Sequence, residues 1–221
     1  MKRVTLFMGH YGSGKTSLAA NFAIDIRRSG NAVSVADIDI VNPYYRTKDW
    51  ADEFASEGIE LIALPYANTN LDLPSLPSEI YGLLQRRDRY AVLDIGGDDR
   101  GALALGRFRD MIKEEGNYDA WFVVNFKRPL TRTPEEALAS MAEIAEAARM
   151  NFTGIVNNTN LSLETTAETV INGALLSKRL SEQSGLPLVY TAVEDPGLIP
   201  EGTNVFFGTE GIKKVKIKRI L

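Results

Sequence analysis

Along the 221 residues, short apolar runs alternate with stretches in which apolar positions recur every three or four residues. The runs read as strands near 3–8, 32–37, 60–64, 90–95, 119–125, 152–157 and 187–193. Between them lie helical patterns. Leu18, Phe22 and Ile26 repeat at spacing four with Ala19 and Ala23 beside them, and Gly30 stands where such a helix should stop. Segment 135–149 puts Leu138, Met141, Ile144, Ala145 and Ala148 on one face. Thr133 is its cap, Pro134 lies in the first turn and Glu136 completes a capping box. The stretch 164–184 is also helical and ends before Gly185 and Pro187, whereas Leu64 to Pro77, with three prolines, reads as a loop. Strand and helix in alternation predict an α/β fold of three layers, a mostly parallel central sheet with helices on both faces. No repeat or linker divides the pattern, so residues 1–221 read as one domain.

The first strand, Val4-Thr5-Leu6-Phe7-Met8, runs into Gly9-His10-Tyr11-Gly12-Ser13-Gly14-Lys15-Thr16 and then into a helix. This is the G-x-x-x-x-G-K-S/T phosphate loop in its strand–loop–helix context. Backbone N–H groups of a glycine-rich turn at a helix N-terminus cradle phosphate oxygens, because unpaired donors and the positive end of the helix dipole coincide there. Lys15 adds a point charge for the outer phosphates, and Thr16 a hydroxyl oxygen for Mg²⁺. Two strand ends offer a further acidic group: Asp37 and Asp39 in Ala36-Asp37-Ile38-Asp39, and Asp94 in Asp94-Ile95-Gly96-Gly97. A carboxylate at the C-terminal edge of a parallel sheet lies where ligands bind in this architecture. Asp37 serves equally well as a turn cap, while Asp98 and Asp99 suit the first turn of a following helix.

Composition narrows the classes. With 44% apolar and 24% charged residues and a net charge of −4, the surface is not one built for DNA. No apolar run approaches the ~18 residues of a membrane span. Met1-Lys2-Arg3 is followed by too short an apolar stretch for a secretory signal, and the expected location is cytoplasmic. Without cysteine and with one histidine, the metal to expect is Mg²⁺ held by oxygen ligands and phosphates.

The loop Gly9 to Ser17, the D-x-D of Asp37 and Asp39, Asp94-x-x-Gly97 and the strand-end Ile155-Val156-Asn157 together resemble the MinD/ParA family of P-loop ATPases with a deviant Walker A motif. The resemblance runs from residue 3 to about residue 195. It implies that Lys15 and the amides of Gly12, Ser13, Gly14, Lys15 and Thr16 hold the β- and γ-phosphates, with Gly9, His10 and Tyr11 completing the loop. Thr16 would ligate Mg²⁺, Ser17 would reach the α-phosphate, and Asp39 would orient the attacking water beside the metal. Asp94 would contact Mg²⁺ through water, and Gly97 would sense the γ-phosphate. Asn157, with Val193, Glu194 and Asp195, would hold adenine.

One position departs from the family. Where its signature lysine reaches across an ATP-bound dimer stands His10, an imidazole that donates a hydrogen bond but supplies less charge. The phosphates hold His10 protonated, another cation such as Arg46 or Arg100 does the work, or there is no cross-subunit contact. Asn157-Asn158-Thr159-Asn160 superficially resembles the guanine-reading N-K-x-D, but Asn160 replaces the aspartate that would accept two guanine N–H groups, which favours ATP over GTP. In the lysine-rich C-terminus, Val215 and Ile217 alternate with lysines at period two, which suits an edge strand better than a membrane-surface helix.

The expected function is a nucleotide-dependent switch that binds ATP with Mg²⁺, hydrolyses it slowly to ADP, dimerises with ATP and is read by a partner protein. The alternative on the same scaffold is a small-molecule kinase or an ATP-dependent ligase resembling dethiobiotin and cobyrinate synthases. Residues 65–77 and Asn42 to Arg46 would then build the acceptor pocket.

Overall fold

A computed structural model describes residues 1–38, 48–63, 78–96 and 105–216. The chain runs β1 (Val4–Met8), α1 (Lys15–Arg28), β2 (Val33–Ile38), α2 (Lys48–Glu57), β3 (Glu60–Ala63), α3 (Ser78–Gln85) and β4 (Tyr90–Ile95). It continues through α4 (Arg109–Glu115), β5 (Tyr118–Val124), α5 (Pro134–Ala148), β6 (Gly154–Asn157), α6 (Ala167–Ser184), β7 (Leu188–Val193) and β8 (Ile212–Lys214). The eight strands form one sheet in the order β3-β2-β4-β1-β5-β6-β7-β8, and every neighbouring pair is parallel. The α/β architecture of three layers read from the sequence is therefore the one observed. Strand order reverses at β1, which has β4 on one side and β5 on the other, so the loop after β1 opens at a topological switch point.

Both faces of the sheet are covered, which is why all five residues of β1 are buried. Alternation sorts the strand side chains into two cores. Leu6, Met8, Leu93, Phe122 and Ile155 join residues of α3, α4, α5 and α6 on one face. Phe7, Val35, Val92, Val123 and Val156 join α1 and α2 on the other. Leu18, Phe22 and Ile26, the residues at spacing four, are the buried stripe of α1. Phe22 meets Phe7 and Trp121 edge-on, at ring-centroid distances of 5.6 and 5.1 Å. This aromatic contact fixes α1 on β1 and β5 about two turns beyond Lys15. Phe22→Ala is expected to cost about 3 kcal/mol or more, read as a lower urea midpoint at unchanged slope.

Local chemistry shows where elements begin. The Thr133 side chain accepts from Glu136 N–H at 3.2 Å, as a cap should, but Glu136 Oε2 reaches back to Arg132 N–H (2.7 Å) and not to Thr133. The buried face of α5 centres on Ala137, Met141 and Ala148, with Leu138, Ile144 and Ala145 packed at its margins. Helix α6 starts at Ala167, three residues later than the sequence pattern gives, because Thr166 accepts from Thr169 N–H at 3.2 Å and Ser162–Glu164 forms a separate 3₁₀ turn. The lysine-rich tail supplies the edge strand β8 at Ile212–Lys214, slightly before the expected Val215–Ile217 alternation. Val215 is buried against α1 and α2, and Lys216 pairs with Glu53 at 3.0 Å. No helix among the described residues is long and apolar enough to cross a membrane.

Candidate functional site

The loop between β1 and α1 is built from backbone conformations that its sequence anticipates. Gly12 and Gly14 have φ of +78° and +90°, in the left-handed region that costs glycine nothing. A Cβ on Gly9 would lie 2.3 Å from the backbone oxygen of Val123, so that position admits only glycine, and one on Gly14 would lie 2.2 Å from Asn158 Nδ2 and displace that side chain. Ser13 N–H donates to His10 O at 3.2 Å, and Lys15 Nζ donates to the same carbonyl at 3.4 Å. Lys15 is only 3% exposed. The N-cap of α1 is Gly14, which offers no side-chain acceptor, and its first turn carries no acidic residue. Helices α5 and α6, in contrast, are capped by Thr133 and Thr166. The first amides of α1 are thus donors without a side-chain acceptor, the condition under which a helix terminus takes an anion. Ser13 Oγ, inside the same loop, is buried without a hydrogen-bond partner among the described residues.

Two buried carboxylates stand beside this loop. Asp37 in β2 and Asp94 in β4 are register partners, 1% and 3% exposed, and Asp94 is in turn paired with Phe7 of β1. Each lies two residues beyond a valine, Val35 or Val92, that packs under α1, so alternation puts both carboxylates on the face that carries α1. Lys15, Asp37 and Asp94 therefore share one face at one end of the sheet. Thr16 and Ser17, half-buried in the first turn of α1, complete the oxygen donors there. Such a set of carboxylate and hydroxyl oxygens fits Mg²⁺.

On the far side of β1 a cavity of about 210 Å³ opens at the ends of β6 and β7. Asn158, Thr159 and Asn160 form one wall, and Val193, Glu194 and Asp195 another. Asn157, which the family resemblance puts on the base, does not line it. Its Oδ1 accepts from Thr159 N–H (3.1 Å) and Thr159 Oγ1 (2.7 Å), its Nδ2 donates to Thr191 Oγ1 (3.3 Å), and the residue is fully buried. The neighbouring Asn158 faces both the cavity and the phosphate loop, donating from Nδ2 to Ser13 O at 2.7 Å. That tether escapes the sequence reading. The only available signal was a run of amides at a strand end, read there as a base-recognition pattern.

Glycines 9, 12 and 14, Ser13, Lys15, Thr16, Ser17 and Asp94 are thus brought to one end of the sheet, with Val193, Glu194 and Asp195 at the adjoining cavity. Half-buried His10 has Nδ1 3.2 Å from Tyr11 O, and Tyr11 is exposed. Asp39, Gly97, Asp98, Asp99, Arg46, Arg100 and the 65–77 loop lie outside the described residues.

No protein-family model matches the chain, and no curated protein matches it. Solved structures match its fold. The cell division protein FtsY from Thermotoga maritima is 15% identical, with a TM-score of 0.59 over 87% of this chain and 62% of that one. Chloroplast FtsY from Physcomitrella patens is 17% identical, with a TM-score of 0.60 over 88% and 59%. The signal recognition particle receptor FtsY from Elizabethkingia anophelis, solved in complex with GDP, is 16% identical, with a TM-score of 0.58 over 87% and 58%. The chain spans about three fifths of the length of these structures. At such identities the likeness is one of fold, and the chain shares with these FtsY structures a three-layer α/β fold built on a parallel sheet.

Proposed function

We propose that this protein binds ATP with Mg²⁺, hydrolyses it slowly and acts as a nucleotide-dependent switch of the MinD/ParA kind. The observation that carries the reading is the grouping of an N-terminus of α1 without a side-chain cap, buried Lys15 and the paired carboxylates Asp37 and Asp94 on one face of the sheet. In this reading the amides of Gly12 to Thr16 and Lys15 take the β- and γ-phosphates, and Ser17 takes the α-phosphate. Thr16 and Asp94, the latter through water, hold the metal. A Mg²⁺ bound there would supply positive charge to offset that of the phosphate oxygens. Asp39 orients the attacking water, and Gly97 reports the terminal phosphate to its loop.

The base sits in the cavity between Asn158 and Asp195, with Asn157 holding Thr159 in that wall from behind. Adenine is favoured because Asn160 has both ends of its amide engaged. Its Nδ2 donates to Asn158 O at 2.7 Å and its Oδ1 accepts from Ser162 N–H at 3.2 Å, so no pair of acceptors is left for guanine. The FtsY structure in complex with GDP makes guanine the comparison any test must include.

Light scattering with ADP and with a nonhydrolysable ATP analogue, together with phosphate release from ATP and GTP without a second substrate, tests the proposal. A dimer formed only with the ATP analogue, and turnover of ATP above GTP, are the expected results. Turnover that requires a small-molecule acceptor would replace the switch by a transferase.

A further inference from the structure

The loop after β5, Asn125 to Arg132, carries Lys127, Arg128 and Arg132. It is held closely. Asn125, 1% exposed, accepts at Oδ1 from Lys127 N–H (2.9 Å) and at its carbonyl from Arg128 N–H (3.1 Å) and Thr131 Oγ1 (2.9 Å). Phe126 N–H donates to Thr159 Oγ1 at 3.2 Å, and Asn125 Nδ2 donates to Asn160 O at 3.3 Å, so the loop is bonded to the wall of the base cavity. Leu130 adopts φ +64° and is 62% exposed, two unfavourable choices in one residue. A leucine in the left-handed region costs on the order of 1 kcal/mol, and strain of this kind collects where a loop has work to do.

This fixed loop lays Arg128 over the phosphate loop. A Cβ on Gly12 would lie 3.7 Å from Arg128 Cδ and 3.8 Å from its Nε, so the guanidinium end of the side chain reaches the rim of the cradle. Arg128 is exposed, and no carboxylate among the described residues pairs with it. A guanidinium carried by a fixed backbone, without a counter-ion among the described residues and beside a set of anion-ready amides, is suited to bidentate contact with phosphate.

We infer that Arg128 binds the outer phosphates of the bound nucleoside triphosphate, supplying within the same chain a second cation besides Lys15. The inference rests on the ATP-binding reading above. The second cation then arrives from the loop after β5, the neighbour of β1 in the sheet, and not from the phosphate loop, where half-buried His10 stands. Residue Gly12 is the contact because it has no side chain to stand between the arginine and the phosphates.

Binding of fluorescent ADP and of a fluorescent nonhydrolysable ATP analogue is measured for the parent, Arg128→Ala, Arg128→Lys and Lys15→Ala. Arg128→Ala is expected to weaken the ATP analogue about ten- to a hundredfold, the range for losing hydrogen bonds to a charged partner. ADP should weaken far less, and Arg128→Lys should recover part of the loss. Arg128 makes no side-chain bond among the described residues, so unchanged thermal melting is the accompanying expectation. If Arg128→Ala binds both nucleotides like the parent while Lys15→Ala does not, the inference about Arg128 is overturned and the nucleotide reading stands. Equal losses on ADP and the ATP analogue overturn the assignment to the outer phosphates. A parent chain that binds neither nucleotide overturns the functional reading, and the inference with it.

Discussion

Lys15→Ala is expected to weaken triphosphate binding by about a hundred- to a thousandfold, the equivalent of losing roughly two charged hydrogen bonds. The size of the effect follows from burial. Lys15 is 3% exposed and its amine lies within the loop, 3.4 Å from His10 O, where water competes poorly for it. In low effective dielectric a point charge beside a phosphate is worth several times its value at the surface. A triphosphate carries its greatest charge at the terminal group, so the loss should be larger for an ATP analogue than for ADP. Titration of fluorescent nucleotide into variant and parent, compared at equal folded fraction by circular dichroism, reads the ratio. Matching affinities would mean that the glycine turn has some purpose other than holding phosphate.

The part of this site that lies within one stretch of chain was legible in the sequence. Gly9 to Thr16 announces the turn, the helix start and the lysine together, because each glycine answers a local backbone demand that no other residue meets. The limits of β4 were equally clear, since its apolar run Tyr90–Ile95 stops at two glycines. What escaped were the contacts that sheet order creates between distant segments. The Asn158 bond to Ser13 O spans 145 residues, and the approach of Arg128 to Gly12 depends on β5 lying beside β1. Asn157 and Asn158 show how little separates a correct residue type from a correct residue. Ile155 packs on the face away from α1 and Val156 on the face of α1, so Asn157 turns away from the phosphate loop and Asn158 toward it. A shift of one position along a strand reverses every side chain, and a run of two asparagines does not reveal the register. Arg3 makes the same point at the other end of the sheet. It reads as part of a basic start, yet it is buried, ion-paired to Glu115 and donates to Leu84 O at 2.9 Å.

Asp94→Asn separates metal chemistry from nucleotide binding. Asparagine keeps the shape of the side chain but replaces an acceptor-only carboxylate with a neutral amide that can also donate. Asp94 and Asp37 are register partners on the face of α1, so the change removes one of two neighbouring anions that would gather the metal and its water shell. A residue acting on a metal through water costs about 10- to 100-fold in metal affinity or activity when it is replaced. Phosphate release from ATP should therefore need about 10- to 100-fold more Mg²⁺ to reach half its maximum, at a lower maximum. Nucleotide affinity measured in a chelator should stay near that of the parent, because Lys15 and the loop amides are untouched. The opposite pattern, in which Asp94→Asn weakens nucleotide in chelator while the Mg²⁺ requirement is unchanged, would make Asp94 a support for the loop and move the metal to another set of oxygens.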